Sequence, residues 1–294
     1  MLSTLKLFSH LALERVSAQP LPRVPEPALV MDDPAQVDVF WQMGADGGVL
    51  SPIYLLLTVY AGCVMPAQGR VLDLACGPGN FLLELARQHP GCHFTGVDVA
   101  PNMLRLAETQ RQRAGLAPID WVQADIAELA GVPDASVDVV TCTLSLHHLA
   151  DVAQLRQTMR AIRRVLKPDG RVFLVDFARL KRLSTLAFMV ADQQAEQHEL
   201  FSQDFMNSMR AAFTRDELQA AAAELGLPLA VHATALAPFM VVLQGPVRGQ
   251  PDVAVRRVAR ARFAALKPMH QRQVSALANW FQGGGLTLPY RLRA

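Results

Sequence analysis

A chain of 294 residues is long enough to bury one large domain, or one domain with helical additions. Apolar residues make up 51% of it and charged residues 18%, which is typical of a compact globular protein and excludes a disordered chain. The net charge of +2 is too small to indicate nucleic-acid binding by itself.

The N-terminal region predicts helices that neither form a secretory signal nor span a membrane. The apolar run of residues 1–16 is interrupted by Lys6 and Glu14, and no small-residue cleavage site follows, so we expect an amphipathic helix. The stretch Gly47–Gly69 is uncharged, but its prolines and glycines limit a helix to about Ile53–Cys63. A span needs ~20 residues, so we expect a buried helix here.

From Arg70 onward, short apolar runs alternate with segments of helical period. Strands separated by helices predict right-handed βαβ crossovers and a mostly parallel sheet. A tight turn is predicted at 167–170, where Pro and Asp-Gly follow a helix. The predicted strands are Arg70–Ala75, Cys92–Asp98, Ile119–Ala124, Val137–Thr143 and Arg171–Phe177, and the helices are Asn80–Gln88, Pro101–Ala114 and Val152–Leu166.

The alternation stops after the fifth strand. Leu180–Ala212 is helical in pattern and rich in Met and Gln, which predicts an inserted helical segment. Thr214 has Glu217 three residues later, which predicts a capping box at the start of a helix that ends at Gly226. Two closing strands, paired as a hairpin, are predicted at Leu229–Leu236 and Phe239–Leu243.

The chain therefore divides into a helical cap, 1–66, an α/β domain, 67–246, with an insertion at about 180–212, and a basic helical extension, 247–294. After Gly245, nine basic residues stand against the single acid Asp252. That tail is either a solvated helix face or a patch for a phosphate, an acidic substrate or a partner subunit. Its arginine-rich helix offers a contact for a homodimer.

The four cysteines have no C-x-x-C spacing, and three lie in strand patterns. They predict buried reduced thiols, no cysteine metal site and a cytoplasmic protein; they are Cys63, Cys76, Cys92 and Cys142.

The central motif is Val71-Leu72-Asp73-Leu74-Ala75-Cys76-Gly77-Pro78-Gly79-Asn80-Phe81, in which a strand runs into a glycine-rich turn and then a helix. Glycine is needed where the backbone bends sharply against a ligand, and the helix start offers free N–H groups to a carboxylate. The dinucleotide fingerprint needs a third glycine, but Leu82 occupies that position. The turn therefore predicts a nucleoside site not built for a pyrophosphate.

Two further acids follow the next two strands. Asp98 lies 19 residues after Gly79, where a carboxylate can accept hydrogen bonds from both ribose hydroxyls; the alternative is a helix cap. Asp125 ends the third strand, where it can accept from an adenine amine while Ile126 packs on the ring. Because the carboxyl ends of parallel strands share one edge, these acids and the glycine turn predict one ligand site.

Five segments together resemble the class I methyltransferases, and most of all the ubiquinone/menaquinone-biosynthesis type of small-molecule methyltransferase. They cover about Arg70–Phe177 and read VLDLACGPGNF, FTGVDVAPNML, VQADI, VDVVTCTLSLHHLAD and IRRVLKPDGRVFLVDF. The resemblance implies a doubly wound, mostly parallel seven-stranded α/β sheet. It also implies S-adenosyl-L-methionine as methyl donor and S-adenosyl-L-homocysteine as product.

By the same resemblance, cofactor contacts fall at named positions. The methionine end would meet Asp73, Ala75, Gly77 and Gly79, the ribose Asp98, the adenine Val99, Met103, Asp125 and Ile126, and the sulfonium Thr143. The resemblance does not reach Met1–Pro66, Leu180–Ala212 or Gly245–Ala294, so the acceptor is not identified.

A general base is needed only where the acceptor must lose a proton. His148 is the leading candidate and His147 the second, with a structural role for at least one of them as the alternative. Asp176, at the end of the fifth strand, is placed either to contact the acceptor or to cap the next segment. Tyr54 and Tyr60 either close over the cofactor or belong to the core.

The sequence favours methyl transfer to a small, partly apolar molecule. Two alternatives stay open: a nucleic-acid methyltransferase that uses the basic tail, and a non-catalytic protein that binds S-adenosylmethionine. Against the nucleic-acid alternative, the sequence lacks the Asn/Asp-Pro-Pro-Tyr/Phe motif that holds a flipped base. An arsenite methyltransferase is disfavoured because the cysteines form no cluster.

Overall fold

Seven strands form one sheet in the computed structural model, which describes residues 2–28, 30–193 and 199–293. The strands are β1 (Gly69–Leu74), β2 (Cys92–Asp98), β3 (Asp120–Gln123), β4 (Val137–Thr143), β5 (Leu166–Phe177), β6 (Ala230–Ala233) and β7 (Met240–Gln244). Their order is β3-β2-β1-β4-β5-β7-β6. The predicted mostly parallel seven-stranded sheet is confirmed.

The strand order reverses between β1 and β4, at the centre of the sheet. Leu74 of β1 lies opposite Val97 of β2 on one side and Cys142 of β4 on the other, and both pairings are parallel. In open α/β sheets a ligand crevice forms at such a reversal, beyond the carboxyl ends of the strands. The fold therefore places β1, β2 and β4 around one crevice.

The closing hairpin is also confirmed, since β7 runs antiparallel to both β5 and β6. The prediction that a turn at 167–170 separates the helix from the fifth strand is wrong, because β5 already begins at Leu166. Leu166 pairs with Val137, and Arg171 pairs with Val139, so the segment between them bulges out of the ladder. The bulge accommodates the Pro and Gly residues without ending the strand.

Eleven α-helices surround the sheet in the described part of the chain. They are α1 (Leu2–Val16), α2 (Pro34–Gly44), α3 (Ser51–Ala61), α4 (Asn80–Gln88), α5 (Pro101–Arg113), α6 (Val152–Val165), α7 (Leu183–Gln193), α8 (Glu199–Ala211), α9 (Arg215–Ala222), α10 (Val253–Ala265) and α11 (Pro268–Gly283). Both halves of the predicted capping box are present at the start of α9, and the segment stops at Gly226 with a φ of 60°.

Two apolar cores cover the two faces of the sheet. Successive residues of β5 alternate between them: Phe173 and Val175 pack on one side, Val172 and Leu174 on the other. Strands buried on both faces are apolar throughout, as the sequence pattern predicted.

Helix α3 lies in the first core, where it contacts α4, α10 and α11. Tyr60 of α3 is 1% exposed and packs edge-on against Phe281, so it belongs to the core. In the described part of the chain, no helix has the length and apolar character needed to cross a bilayer. All four cysteines are free thiols, and Cys76, Cys92 and Cys142 are buried.

Part of the basic tail is engaged within the molecule. Arg262 of α10 bonds Asp46 and Glu84, and Arg248 donates to the carbonyl of Val64. Arg260 donates to the carbonyl of Arg291. These contacts join the extension to Asp46 and Val64, which precede β1, and to Glu84 of α4.

Candidate active site

The turn after β1 is held in the left-handed region of backbone conformation. The φ angle is 47° at Ala75, 53° at Gly77 and 86° at Gly79. This conformation costs a non-glycine residue such as Ala75 about 1–2 kcal/mol. A Cβ at Gly77 would meet no atom within 4 Å, so the space beside it is open. Gly79 is the N-cap of α4 and provides no side-chain cap, which leaves the first N–H groups of the helix available to an anion.

Asp98, the last residue of β2, joins its carboxylate to this turn. Oδ2 accepts the N–H of Gly77 at 2.8 Å, and Oδ1 accepts the N–H of Ala100 at 2.9 Å. Ala100 is the N-cap of α5, so Asp98 does not hold the capping position that was its alternative role. Burial raises the pKa of Asp98, and the two backbone N–H bonds oppose that shift.

Asp73 is buried in β1 beneath the turn. Its Oδ1 accepts the hydroxyl of Thr141 from β4 at 2.6 Å. Burial raises the pKa of Asp73 to about 7, and the charge of Asp98 adds to the shift while the Thr141 bond opposes it. A positive group placed beside Asp73 would therefore favour its ionised form.

The other predicted adenine-side residues lie in differing environments. Asp125 is exposed, and its Oδ1 accepts the N–H of Ala127 at 2.8 Å, so it caps a local turn. Ile126 is buried in a core. Val99 is 42% exposed at the edge of the crevice, whereas Met103 is buried against α2.

The segment before α2 docks on the start of α5. The backbone N–H of Asn102 donates to Oδ1 of Asp32 at 2.8 Å, and its side-chain amide donates to the Asp32 carbonyl at 2.7 Å. The N-terminal residues therefore close the crevice next to Asp98.

β4 ends at Thr143, beside the glycine turn. The hydroxyl of Ser145 donates to the carbonyls of Thr143, at 3.0 Å, and Ala75, at 3.3 Å. Leu144, between them, has a φ of 53°. These contacts join the ends of β1 and β4 and turn the chain sharply toward the histidine pair.

His147 and Asp176 form a buried pair at the ends of β4 and β5. Nδ1 of His147 lies 2.7 Å from Oδ1 of Asp176, and the backbone N–H of His147 donates to Oδ2 at 2.7 Å. Each residue is 1% exposed. Burial lowers the pKa of His147, but the charge and hydrogen bond of Asp176 outweigh it, with help from Glu26 and Asp204, and the net shift is upward.

His148 differs from its neighbour, because no carboxylate among the described residues bonds its ring. Burial and the charge of His147 lower the pKa of His148, so its ring is neutral at physiological pH. One ring nitrogen of each histidine and one oxygen of Glu26 lie within 4.8 Å of one another. Glu26 is buried and accepts the hydroxyl of Ser208 at 2.9 Å.

Arg23 holds the histidine loop from the N-terminal segment. Its guanidinium donates to the carbonyls of His147, at 3.1 Å, and Leu149, at 2.6 Å, and it also bonds Ala150. Nε donates to the carbonyl of Ala211 at 2.7 Å, and the group lies 4.2 Å from the centre of the Phe213 ring.

A cavity of about 280 Å³, called the chamber below, opens beside the histidine pair. Leu144, Phe177 and Met240 border it at the ends of β4 and β5 and the start of β7, so it lies at the carboxyl edge of the sheet. The other aromatic residues of its wall are Phe40, Phe188, Phe205, Phe239 and Trp280, and its polar residues are Tyr54, His147, His148, Asp204, Ser208 and Gln273. A smaller cavity of about 180 Å³ adjoins it and shares Phe40, His148 and Asp204.

Known proteins match the part of the chain that builds this site. A family model described as a methyltransferase domain matches residues 71–170. The ubiquinone biosynthesis O-methyltransferase of Paracidovorax citrulli is 32% identical over 168 residues, which cover 54% of this chain and 68% of that protein. The chain belongs to the class I S-adenosylmethionine-dependent methyltransferases.

Other methyltransferases match over a shorter part. The demethylmenaquinone methyltransferase of Deinococcus radiodurans is 39% identical over 110 residues, which cover 37% of this chain and 43% of that protein. YqeM of Bacillus subtilis is 37% identical over 106 residues, 36% of this chain and 41% of its own length. The chain thus spans about two fifths of each of these two relatives. A solved structure from Methanococcus maripaludis aligns with a TM-score of 0.56 at 18% identity, covering 75% of this chain and 95% of that one, and shows the shared fold.

S-adenosylmethionine is the cofactor of the family, and the methyltransferase crevice fits it chemically. The open space at Gly77 and the uncapped start of α4 suit a carboxylate, and the Asp98 carboxylate suits a ribose diol. Both polar atoms of the buried Asn80 side chain lack hydrogen-bond partners within the described structure. Unpaired buried amides are costly, so a polar ligand at the start of α4 would supply what they lack.

The sequence identified the candidate site residues at the strand ends of this methyltransferase. It missed the site residues that lie outside the strands. The structure brings together the glycine turn, Asp98 and Thr143, and it joins His147 to Asp176. Asp125 bonds a local turn through Oδ1. Their roles toward the cofactor and acceptor stay predictions. Arg23, Glu26, Asp204 and Gln273 were missed, because no motif or periodicity marks them.

Proposed function

We propose that this methyltransferase transfers the methyl group of S-adenosylmethionine to a small, largely apolar molecule with an ionisable hydroxyl or enol. The observation that carries the proposal is the His147–Asp176 pair at the wall of an apolar chamber. Relatives named for ubiquinone biosynthesis and demethylmenaquinone methylation support a hydroxylated aromatic acceptor.

We assign the general base to His147 rather than to His148, reversing the preference that the sequence suggested. Asp176 occupies Nδ1 of His147, which leaves Nε2 as the ring nitrogen that can take a proton. The raised pKa of His147 makes its ring the stronger base, whereas the lowered pKa of His148 makes that ring a weak one. Asp176 holds the ring orientation and balances the imidazolium charge that forms.

The cofactor, when bound, supplies a methyl group activated by the sulfonium. The chain's contribution is to align the acceptor, exclude water and remove one proton. The aromatic wall, including Phe177, Phe205 and Trp280, buries an apolar acceptor and keeps water away from the reacting oxygen. His147 would take, at Nε2, the proton that the acceptor oxygen or carbon loses on methylation, and the sulfur that gives up the methyl group would leave as the thioether of S-adenosylhomocysteine.

A labelled-methyl assay against a cell extract tests the proposed reaction. We expect the label in a small molecule that partitions into organic solvent, and mass spectrometry of that product identifies the acceptor. Label found only in RNA or protein contradicts the proposal. Binding of cofactor without any transfer would favour the non-catalytic alternative.

A chelator separates proton transfer from metal chemistry in the Glu26–His147–His148 group. We expect EDTA to leave the rate unchanged. A rate that falls with EDTA and returns with a divalent cation would assign these three side chains to a metal and not to a base.

A further inference from the structure

The C-terminal helix α11 forms one wall of the chamber. Gln273, Ala276, Leu277 and Trp280 line the cavity and recur at the spacing of one helix face. The extension that the family model leaves unmatched therefore reaches the place where the proposed acceptor would bind.

Gln273 carries the one side-chain oxygen on this face. Its carbonyl oxygen Oε1 is buried and has no hydrogen-bond partner within the described structure. Among the described residues that line the chamber, only Gln273 has a buried side-chain polar atom without a hydrogen-bond partner. Its chamber-lining neighbours one turn further along the helix, Ala276 and Leu277, are apolar and offer it no donor.

A buried carbonyl without a partner carries a desolvation penalty, and native structures rarely keep one without a reason. The packing does not require an amide here, because Leu has similar size and would suit the apolar wall. A ligand with an O–H or N–H group would remove the penalty after a small shift of the Gln273 side chain opens Oε1 to the chamber. An analogue without the donor would leave the carbonyl unpaired, and such unpaired groups are a strong source of discrimination.

We propose that Gln273 determines acceptor specificity by accepting a hydrogen bond, through Oε1, from a hydroxyl or N–H group of the acceptor. This inference rests on the proposed function, since it takes the chamber as the acceptor site. It adds that the acceptor carries a donor group that reaches α11. Gln273 is thus a specificity residue, separate from the proton chemistry at His147.

Binding of two aromatic probes tests the assignment without any methyl transfer. Calorimetry with S-adenosylhomocysteine present compares 1-naphthol, which has a donor, with 1-methoxynaphthalene, which has none. We expect the wild type to bind 1-naphthol about tenfold more tightly, the ratio typical of one buried hydrogen bond. In Gln273→Leu the ratio should fall toward one, while the affinity for 1-methoxynaphthalene holds or improves.

The matched control is Gln282→Leu, an exposed position on the same helix, which should keep the wild-type ratio. His147→Asn tests whether the hydroxyl of 1-naphthol bonds His147 instead of Gln273. A wild-type ratio near one overturns the proposal, as does a ratio that persists in Gln273→Leu or is lost only in His147→Asn. Because the readout is binding, these results are independent of whether the labelled-methyl assay succeeds.

Discussion

Nδ1 of His147 lies 2.7 Å from Oδ1 of Asp176, and the other oxygen of the same carboxylate accepts the His147 backbone N–H. One buried carboxylate therefore fixes both the ring and the loop that carries it. This arrangement connects the end of β5 to the residue after β4, and only the fold brings the two segments together.

Replacing Asp176 should separate catalysis from cofactor binding. In Asp176→Asn the amide cannot balance an imidazolium and favours the wrong tautomer, so we expect kcat to fall by about 10²–10⁴-fold. The affinity for S-adenosylmethionine, measured by calorimetry, should stay within about twofold. Asp169→Asn, an exposed position of the same strand, is the control and should match the wild type. Equal losses of kcat and cofactor affinity would mean that Asp176 acts on the fold instead.

Activity and stability should respond to pH in opposite directions. The pKa of His147 is raised above the ordinary value of 6.5, with Asp176 as the main favourable cause acting against burial, and with Glu26 and Asp204 adding to it. A base works in its neutral form, so kcat should rise with pH through this raised pKa. The stabilisation from protonated His147 is fully present below the unfolded pKa of 6.5 and is lost as pH rises through the folded value.

The measurements are kcat and the midpoint of thermal unfolding between about pH 5.5 and 8.5, compared with His147→Asn. The variant should lose the rise in rate and the part of the stability change that falls in this window. A wild-type rate that is flat across the window would argue against His147 as the base.

The sequence predicts the strand ends well, because parallel strands bring their carboxyl ends to one edge whatever the loops do. That rule by itself predicts that Asp98 lies beside the glycine turn. It does not place Glu26 or Gln273, whose segments approach from the two termini. Their positions depend on how helices and loops pack on the sheet, and neither has a periodic pattern or motif. Asp125 shows that a strand-end acid can also bond a local turn, and its role toward adenine stays a prediction.

Asp98→Asn should weaken the binding of the cofactor and leave the protein folded. The variant keeps one acceptor oxygen, so it loses one of the bonds to Gly77 and Ala100 and the charge that a ribose diol would bond. Charged hydrogen bonds contribute about 1.5–3 kcal/mol, which corresponds to about 10–100-fold weaker binding of S-adenosylmethionine. Calorimetry measures this effect, with the exposed Asp120→Asn of β3 as control. Wild-type affinity in Asp98→Asn would remove Asp98 from the ribose role.

Arg23→Lys should lower kcat through the histidine loop. The guanidinium bonds the carbonyls of His147 and Leu149 at once and stacks on Phe213, and a lysine ammonium cannot reproduce this planar fork. Carbonyls left without partners should reduce the free energy of unfolding by about 1–3 kcal/mol. Because the loop carries the proposed base, kcat should fall about tenfold while the cofactor dissociation constant is unchanged. Arg156→Lys, an exposed position of α6, should show neither effect. If Arg23→Lys unfolds more easily but turns over at the wild-type rate, Arg23 stabilises the N-terminal segment without positioning His147.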